Sequence, residues 1–532
     1  MGDFSEAEFK SERENVSQAA GIVGFFTFLS RIMGLVRDMV LAWFFGTGMV
    51  MDAFAVAFRI PNLLRRLFAE GSLTIAFIPV FTEYLRIKSK DDAFELARVV
   101  LTLLSIILAV VTIAGILFSP WIVRILAWGY GDSGLRYELT VLLTRITFPY
   151  IFLISIVALC MGVLNSLRHF AAPAAAPIFL NVGIIVGTIW ISPYLSQPIV
   201  GTAIGVIIGG VLQVGLQIPA IIKKGVSIRP KWMPSHPAVK RIGLLMIPAL
   251  FGSAIYQLNH YIGTLLASFL PEGSMSWLYF ADRLVQFPLG VFAIAISTAA
   301  LPSLSKQALE KDLYEFRDTL NHSLRLTFFI AIPSMAGLII LGVPIIRLFF
   351  ERGAFDPIST QNTAYALVLY SVGLWAFSGT RVIVSGFYAL QDTKTPVKVA
   401  ALTLVAYLLF SLTLMGPLKH GGLALALSIA SAIQFCLLLF LLKRKMGEWD
   451  FYPVFISAGK IIIASIVMSV VIVYLHSRWL SPVSGSGMWH LAAEVLVPIF
   501  VGVITYFAAA RVLGCKELSS VLNIFKPIFM RN

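Results

Sequence analysis

Arg59-Ile60-Pro61-Asn62-Leu63-Leu64-Arg65-Arg66-Leu67-Phe68-Ala69-Glu70-Gly71 sets three arginines and a glutamate inside an otherwise apolar segment, 51–82. A soluble amphipathic helix tolerates such charges on its wet face, so the rest of the chain decides what they mean. Of its 532 residues, 58% are hydrophobic and 13% are charged, where soluble domains carry about 25% charged residues. Most of the surface therefore does not face water. The arginines lie within a membrane protein.

A spanning helix needs about 20 mostly apolar residues. Stretches of that kind predict fourteen spans, near 17–45, 51–82, 99–119, 139–165, 173–193, 198–222, 242–270, 276–303, 326–350, 362–389, 397–416, 421–442, 455–476 and 489–510. The fold class is thus an all-α polytopic membrane protein. The net charge of +14 does not point to nucleic acid, because the bases sit in short gaps between apolar runs. With the N-terminus inside, 27 bases fall on the cytoplasmic side and 6 on the other. That asymmetry obeys the positive-inside rule only with an even number of spans, so both termini are expected in the cytoplasm. The polar, acidic start, Met1 to Asn15, does not read as a cleavable signal peptide.

An internal repeat organises the spans. Arg59 and Pro79 match Arg283 and Pro302; Gly162 and Pro173 match Gly386 and Pro396. The offsets are 224, 223, 224 and 223 residues, and the interval holds six spans, so both copies enter the membrane in one direction. A parallel repeat predicts two six-helix lobes related by an axis along the membrane normal, and rocking of the lobes suits alternating access. The expected organisation is a cytoplasmic extension 1–16, an N-lobe 17–225, a linker 226–241 and a C-lobe 242–445. Two further spans within 446–510 and a cytoplasmic tail 511–532 complete it.

Once the 27 and 6 bases counted with the two faces are set aside, Arg347, Lys398 and Lys460 near span ends among them, eight bases remain within the spans: Arg31, Arg37, Arg59, Arg65, Arg66, Arg145, Arg283 and Arg381. Each would cost about 2.5–3.5 kcal/mol at a lipid-facing helix centre. They must be paired or line a watery chamber. Only Asp38, Asp52, Glu70 and Asp282 share these segments, leaving a positive excess that attracts an anion. All eight are arginine although the chain has 17 lysines. The planar guanidinium fork grips phosphate or carboxylate oxygens in pairs. On an ideal helix Arg59, Asn62, Arg66 and Glu70 form one polar stripe, and Arg31, Gly34 and Asp38 share another face. The competing reading makes Arg37–Asp38, Asp282–Arg283 and Arg66–Glu70 structural ion pairs, with Arg65, Arg145 and Arg381 snorkelling.

No phosphate-binding G-x-x-x-x-G-K-[ST] loop, H-E-x-x-H pair or Cys/His ligand spacing occurs, so neither a cofactor nor a metal is expected. Cys160, Cys436 and Cys515 follow no motif. Asp91-Asp92 reads as a solvated loop rather than a metal-binding enzyme pair. A non-enzymatic carrier of a phosphate-bearing substrate fits best, ahead of a scaffold or an embedded transferase.

The run Ser30-Arg31-Ile32-Met33-Gly34-Leu35-Val36-Arg37-Asp38, then Asp52-Ala53-Phe54 and the Arg59–Gly71 stretch, resembles the MurJ (MviN) family of lipid II flippases. So do Ala281-Asp282-Arg283-Leu284, Leu301-Pro302-Ser303-Leu304-Ser305 and Gln391-Asp392-Thr393-Lys394-Thr395-Pro396-Val397-Lys398. The resemblance places the chain in the multidrug/oligosaccharidyl-lipid/polysaccharide exporter superfamily and implies residence in the bacterial inner membrane. It implies a cationic cavity for the lipid II headgroup, and a groove for the polyprenyl tail on the last two spans. Its implied partners are lipid II, membrane lipids and cell-wall synthesis proteins. Carried over by motif, Arg37, Arg65 and Arg283 bind the diphosphate with Arg31 beside them. Asp38, Asp52, Glu70 and Asp282 orient those bases or gate, and Ser30, Arg59, Asn62 and Arg66 support them. Arg65 is preferred to Arg66 despite the ideal stripe, because Pro61 interrupts the helix. The seventh span holds Gln257, Asn259 and His260 but no carboxylate, unlike sodium-coupled relatives.

Overall fold

The computed structural model describes residues 6–64, 73–479 and 487–522. These form helices and short connections, with no strand among the described residues. Two compact units divide the chain, Met1–Phe269 and Leu270–Asn532. The first contains α1 (Glu6–Phe45), α2 (Met49–Leu64), α3 (Leu73–Ile87), α4 (Lys90–Leu117), α5 (Ser119–Leu126), α6 (Leu135–Thr147), α7 (Tyr150–Ser166), α8 (Ala171–Val186), α9 (Ile199–Lys223) and α10 (Pro237–Ser268). The second contains α11 (Ser274–Pro288), α12 (Ile294–Leu309), α13 (Leu313–Ile340), α14 (Gly342–Phe349), α15 (Pro357–Ser371), α16 (Leu374–Ala389), α17 (Lys394–Leu418), α18 (His420–Met446), α19 (Tyr452–Trp479) and α20 (Met488–Val512).

Ten spans among the described residues are long and apolar enough to cross a membrane. Counted as one broken span, the pair α15 and α16, bent by 42°, brings the number to eleven. The protein is a multi-pass membrane protein. The expected segments outside these eleven are 17–45, 51–82 and 242–270. Two of them lie within α1, of 40 residues, and α10, of 32 residues. At about 1.5 Å per residue both exceed the roughly 30 Å hydrocarbon core. The third runs through α2 and α3, and its middle, 65–72, lies outside the described residues.

The boundary between compact units, at Phe269/Leu270, falls one helix beyond the expected linker 226–241. The helix α10 packs on α3 and α5 of the first unit. A repeat boundary marks where the sequence duplicates, whereas a compact unit is defined by the contacts within it, and the two need not coincide.

Local chemistry starts and stops these helices. Asp91-Asp92 opens α4: the Ser89 hydroxyl accepts from the Asp92 N–H at 3.1 Å, and the Asp92 carboxylate accepts from Ser89 in return. This reciprocal cap satisfies otherwise orphaned donors. The Asp392-Thr393-Lys394-Thr395 run likewise precedes α17, where Asp392 accepts from Thr395 N–H at 3.0 Å and from Lys445 at 2.7 Å. The Lys445 bond, helped by Thr395, holds the Asp392 carboxyl down at about 2, against an ordinary value of 3.8. A depressed carboxyl stabilises the fold fully above 3.8, and that contribution is lost as pH falls toward about 2. Asp392→Asn is expected to flatten the fall in thermal midpoint between pH 5 and pH 3; an unchanged slope would show that the pair contributes nothing.

Close backbone approach joins α8 to α9. Gly183 of α8 and Gly187, just beyond its end, face Gly201, Gly205 and Gly209 of α9, and a Cβ at Gly205 would lie 2.6 Å from the Gly183 carbonyl oxygen. Small residues four apart let membrane helices touch along their backbones. Gly205→Val is expected to lower stability by about 1–3 kcal/mol through overpacking, read as a lower thermal midpoint in detergent. The glycine-seated α8 then presents Asn181 to α1.

Candidate functional site: guanidinium groups within the membrane spans

In the first unit, the arginines of α1 differ sharply in their surroundings. Arg37 is 6% exposed and Asp38 2%. The Arg37 guanidinium donates to Asp38 Oδ1 at 3.0 and 2.7 Å and to Asn181 Oδ1 at 3.0 Å. Asn181 in turn donates to the Ser30 carbonyl at 3.2 Å. A buried charge is tolerated when paired and hydrogen-bonded, and this cluster is a polar rivet between α1 and α8. Arg31, on the same helix, is half-buried and has no hydrogen bond or ion pair among the described residues.

Asp52, fully buried near the start of α2, is held at 2.6 Å by Arg136 of α6. The Arg136 guanidinium lies 3.8 Å over the Tyr130 ring. Asp52 is therefore bound by a base that hydropathy assigns to an outer loop. Half-buried Arg59, one of the eight, donates to the Thr264 hydroxyl of α10, which itself donates to the His260 carbonyl at 2.7 Å. Asn62 is half-buried near the end of α2. Arg65, Arg66 and Glu70 lie outside the described residues. Arg145 is exposed and donates to Ser119 at 3.0 Å.

In the second unit, half-buried Arg283 donates to the Tyr279 hydroxyl at 3.3 Å and lies 4.9 Å over its ring, one turn back on α11. Asp282 accepts from Gln286 at 3.3 Å. Arg381, half-buried on α16, has no partner among the described residues. Arg31, Arg59, Arg145 and Arg381 have no carboxylate within ion-pair distance among the described residues. The positive excess expected from sequence persists in both units.

Sequence reasoning missed the acidic anchors of the last two helices. Glu494 on α20, 1% exposed, sits 3.7 Å from Arg347 of α14 and 3.9 Å from His476 of α19. Glu517, 3% exposed, sits 3.4 Å from Arg325 of α13. Tyr506 donates to the Phe329 carbonyl at 2.8 Å. For Glu494 the available signal is a lone carboxylate within an apolar span. No group of three metal-ligating residues occurs among the described residues.

Apolar helices that carry arginines with no carboxylate within ion-pair distance, among the described residues, place unmatched positive charge inside a multi-pass membrane protein. A family model described as "Lipid II flippase MurJ" matches residues 41–492. A Burkholderia cenocepacia protein named "Lipid II flippase MurJ" is 39% identical over 443 residues, 82% of this chain and 86% of that protein. A Vibrio cholerae protein named "Probable lipid II flippase MurJ" is 41% identical over 424 residues, 78% of this chain and 81% of its own length. A solved structure titled "Lipid II flippase MurJ, inward closed conformation" is similar with a TM-score of 0.77 at 30% identity, covering 92% of this chain and 99% of that one. The chain belongs to the MurJ family of lipid II flippases. An inward-facing multidrug transporter of the MOP superfamily shares the fold alone, with a TM-score of 0.67 at 14% identity over 80% of this chain and 98% of that one.

Proposed function

We propose that this protein moves lipid II from the inner to the outer leaflet of the bacterial cytoplasmic membrane by alternating access through an arginine-lined cavity. Fourteen spans form two six-helix lobes in parallel repeat, with two C-terminal helices that hold the polyprenyl tail, and both termini are cytoplasmic. The diphosphate binds Arg31, Arg37, Arg65 and Arg283. Ser30, Asp38, Asp52, Arg59, Asn62, Arg66, Glu70 and Asp282 position those bases or gate the passage.

The observation that carries this reading is half-buried Arg31, a guanidinium in a spanning helix with no partner among the described residues. A charge so placed is stabilised by water or by an anion, and a diphosphate offers paired oxygens that match its fork. Arg37 contributes through the rivet to Asp38 and Asn181, which fixes the helix that bears Arg31.

The test is transport in proteoliposomes loaded with labelled lipid II, read as the rate at which the headgroup becomes accessible on the opposite leaflet. A rate equal to protein-free vesicles overturns the proposal. Export of another polyprenyl-diphosphate oligosaccharide is the second reading, separated by competition with that lipid in the same vesicles. A drug-cation antiporter is disfavoured, because uncompensated arginines repel cationic cargo.

A further inference from the structure

An apolar groove of about 460 Å³ lies within the first unit, and its lining includes none of the arginines assigned to the substrate. Its walls come from α4, α7 and α9, with Ile106, Leu159, Val163 and Ile218 among them. The loop after α9 closes one end through Val226, Ile228 and Pro230. That loop is stapled to α4: Arg98 Nε donates to the Arg229 carbonyl at 2.9 Å, and Lys231 N–H donates to Thr102 Oγ1 at 2.9 Å. The only polar side chains on the walls are hydroxyls (Thr102, Ser105 and Ser227) and the Cys160 thiol, so a polar solute finds little to bind.

The stapled end is strongly basic. Lys223 and Lys224 follow the wall residue Ile221, and Arg229 stands between the wall residues Ile228 and Pro230. All three are exposed, and their side chains have no hydrogen-bond or ion-pair partner among the described residues. Lys231 is offset by Glu95 at 2.6 Å; Arg98, Lys223, Lys224 and Arg229 are not offset in this way. Nearby Trp232 is 64% exposed, in keeping with the preference of tryptophan for the headgroup level of a bilayer. Along α4 the walls run from Ala97 to Ile106, a rise of about 14 Å along the helix axis. One leaflet of a roughly 30 Å hydrocarbon core has about that depth.

We propose that this groove is a binding site for one anionic phospholipid of the leaflet it faces. An acyl chain occupies the groove, and the phosphate rests on Lys223, Lys224 and Arg229. Apolar walls select a chain, the depth selects one leaflet's worth of it, and the uncompensated basic rim selects a negative headgroup. The groove shares no lining residue with the arginines assigned to the substrate, so the proposal does not depend on which substrate the protein moves.

The full chain in nanodiscs containing phosphatidylglycerol and phosphatidylethanolamine provides the test, with retained lipids read by native mass spectrometry. Wild type is expected to retain one phosphatidylglycerol with about tenfold preference over phosphatidylethanolamine, as basic clusters near a membrane surface attract anionic lipid. The triple variant Lys223→Gln, Lys224→Gln, Arg229→Gln is expected to lose most of that preference while still retaining a lipid. Val214→Trp, which fills the groove from α9, is expected to retain none, and Ser105→Phe does the same from α4 should the first variant fail to fold. Equal retention of both phospholipids by wild type, undiminished retention by a folded groove-filled variant, or a polyprenyl diphosphate as the retained species would each overturn the proposal.

Discussion

Arg31→Ala is expected to slow lipid II movement in proteoliposomes by about 10- to 100-fold, since a hydrogen bond to a charged partner contributes about 1.5–3 kcal/mol and each 1.4 kcal/mol is a factor of ten. Arg31 is the variant of choice because nothing else in the unit relies on it: no described residue bonds to its side chain. Loss of transport then reports on substrate and not on folding. Arg283→Ala is expected to fall in the same range, although it also releases the Tyr279 hydroxyl and ring. Arg31→Lys keeps the charge but loses the fork, so it should recover only part of the rate. Arg145→Ala serves as the control, because that side chain is exposed and bonded to Ser119. Wild-type flux through Arg31→Ala, with incorporation verified, would remove the guanidinium from the mechanism.

Breaking the Arg37–Asp38 pair is expected to act first on stability. Removing one partner of a buried ion pair costs about 3–5 kcal/mol, because the other charge is left unmatched. Asp38→Ala leaves Arg37 with only Asn181 among its bonds described above, and Arg37→Met leaves Asp38 buried at 2% exposure. The double variant Arg37→Met, Asp38→Leu removes both charges and should regain most of the loss, since well-packed apolar replacements of buried pairs are often neutral. Thermal unfolding in detergent measures all three. Transport by the double variant separates two roles for Arg37. A stable but inactive protein means that Arg37 also meets the substrate, whereas a stable and active one confines it to the rivet. Single variants with wild-type stability would refute the structural role.

Class and family were legible early because they depend on properties of the chain that survive without coordinates. Apolar run length follows from bilayer thickness, and the excess of arginine over acid in the spans is a matter of composition. The capping role of Asp92 was half legible: a Ser-x-x-Asp pattern ahead of an apolar run is a helix start, and only the loop reading obscured it. The ion pairs were not legible. Asp52 and Arg136 are 84 residues apart, and no periodicity links them. Glu494 meets bases on two other helices, α14 and α19, for the same reason. Nor could spacing reveal that α10 packs with the unit before it, since hydropathy identifies a span without naming its neighbours.

Taken alone, the order of residues determined that this is a helical membrane protein of the lipid II flippase family, with guanidinium groups in its spans outnumbering carboxylates. Which of those groups is already satisfied was decided only by the tertiary structure. Asn181 and Asp38 close around Arg37, Arg136 closes around Asp52, and Arg31 is left without a described partner. The reason is physical: burying an unmatched charge is governed by what lies within about 4 Å, and neighbours at that range come from helices that sequence distance does not bring together.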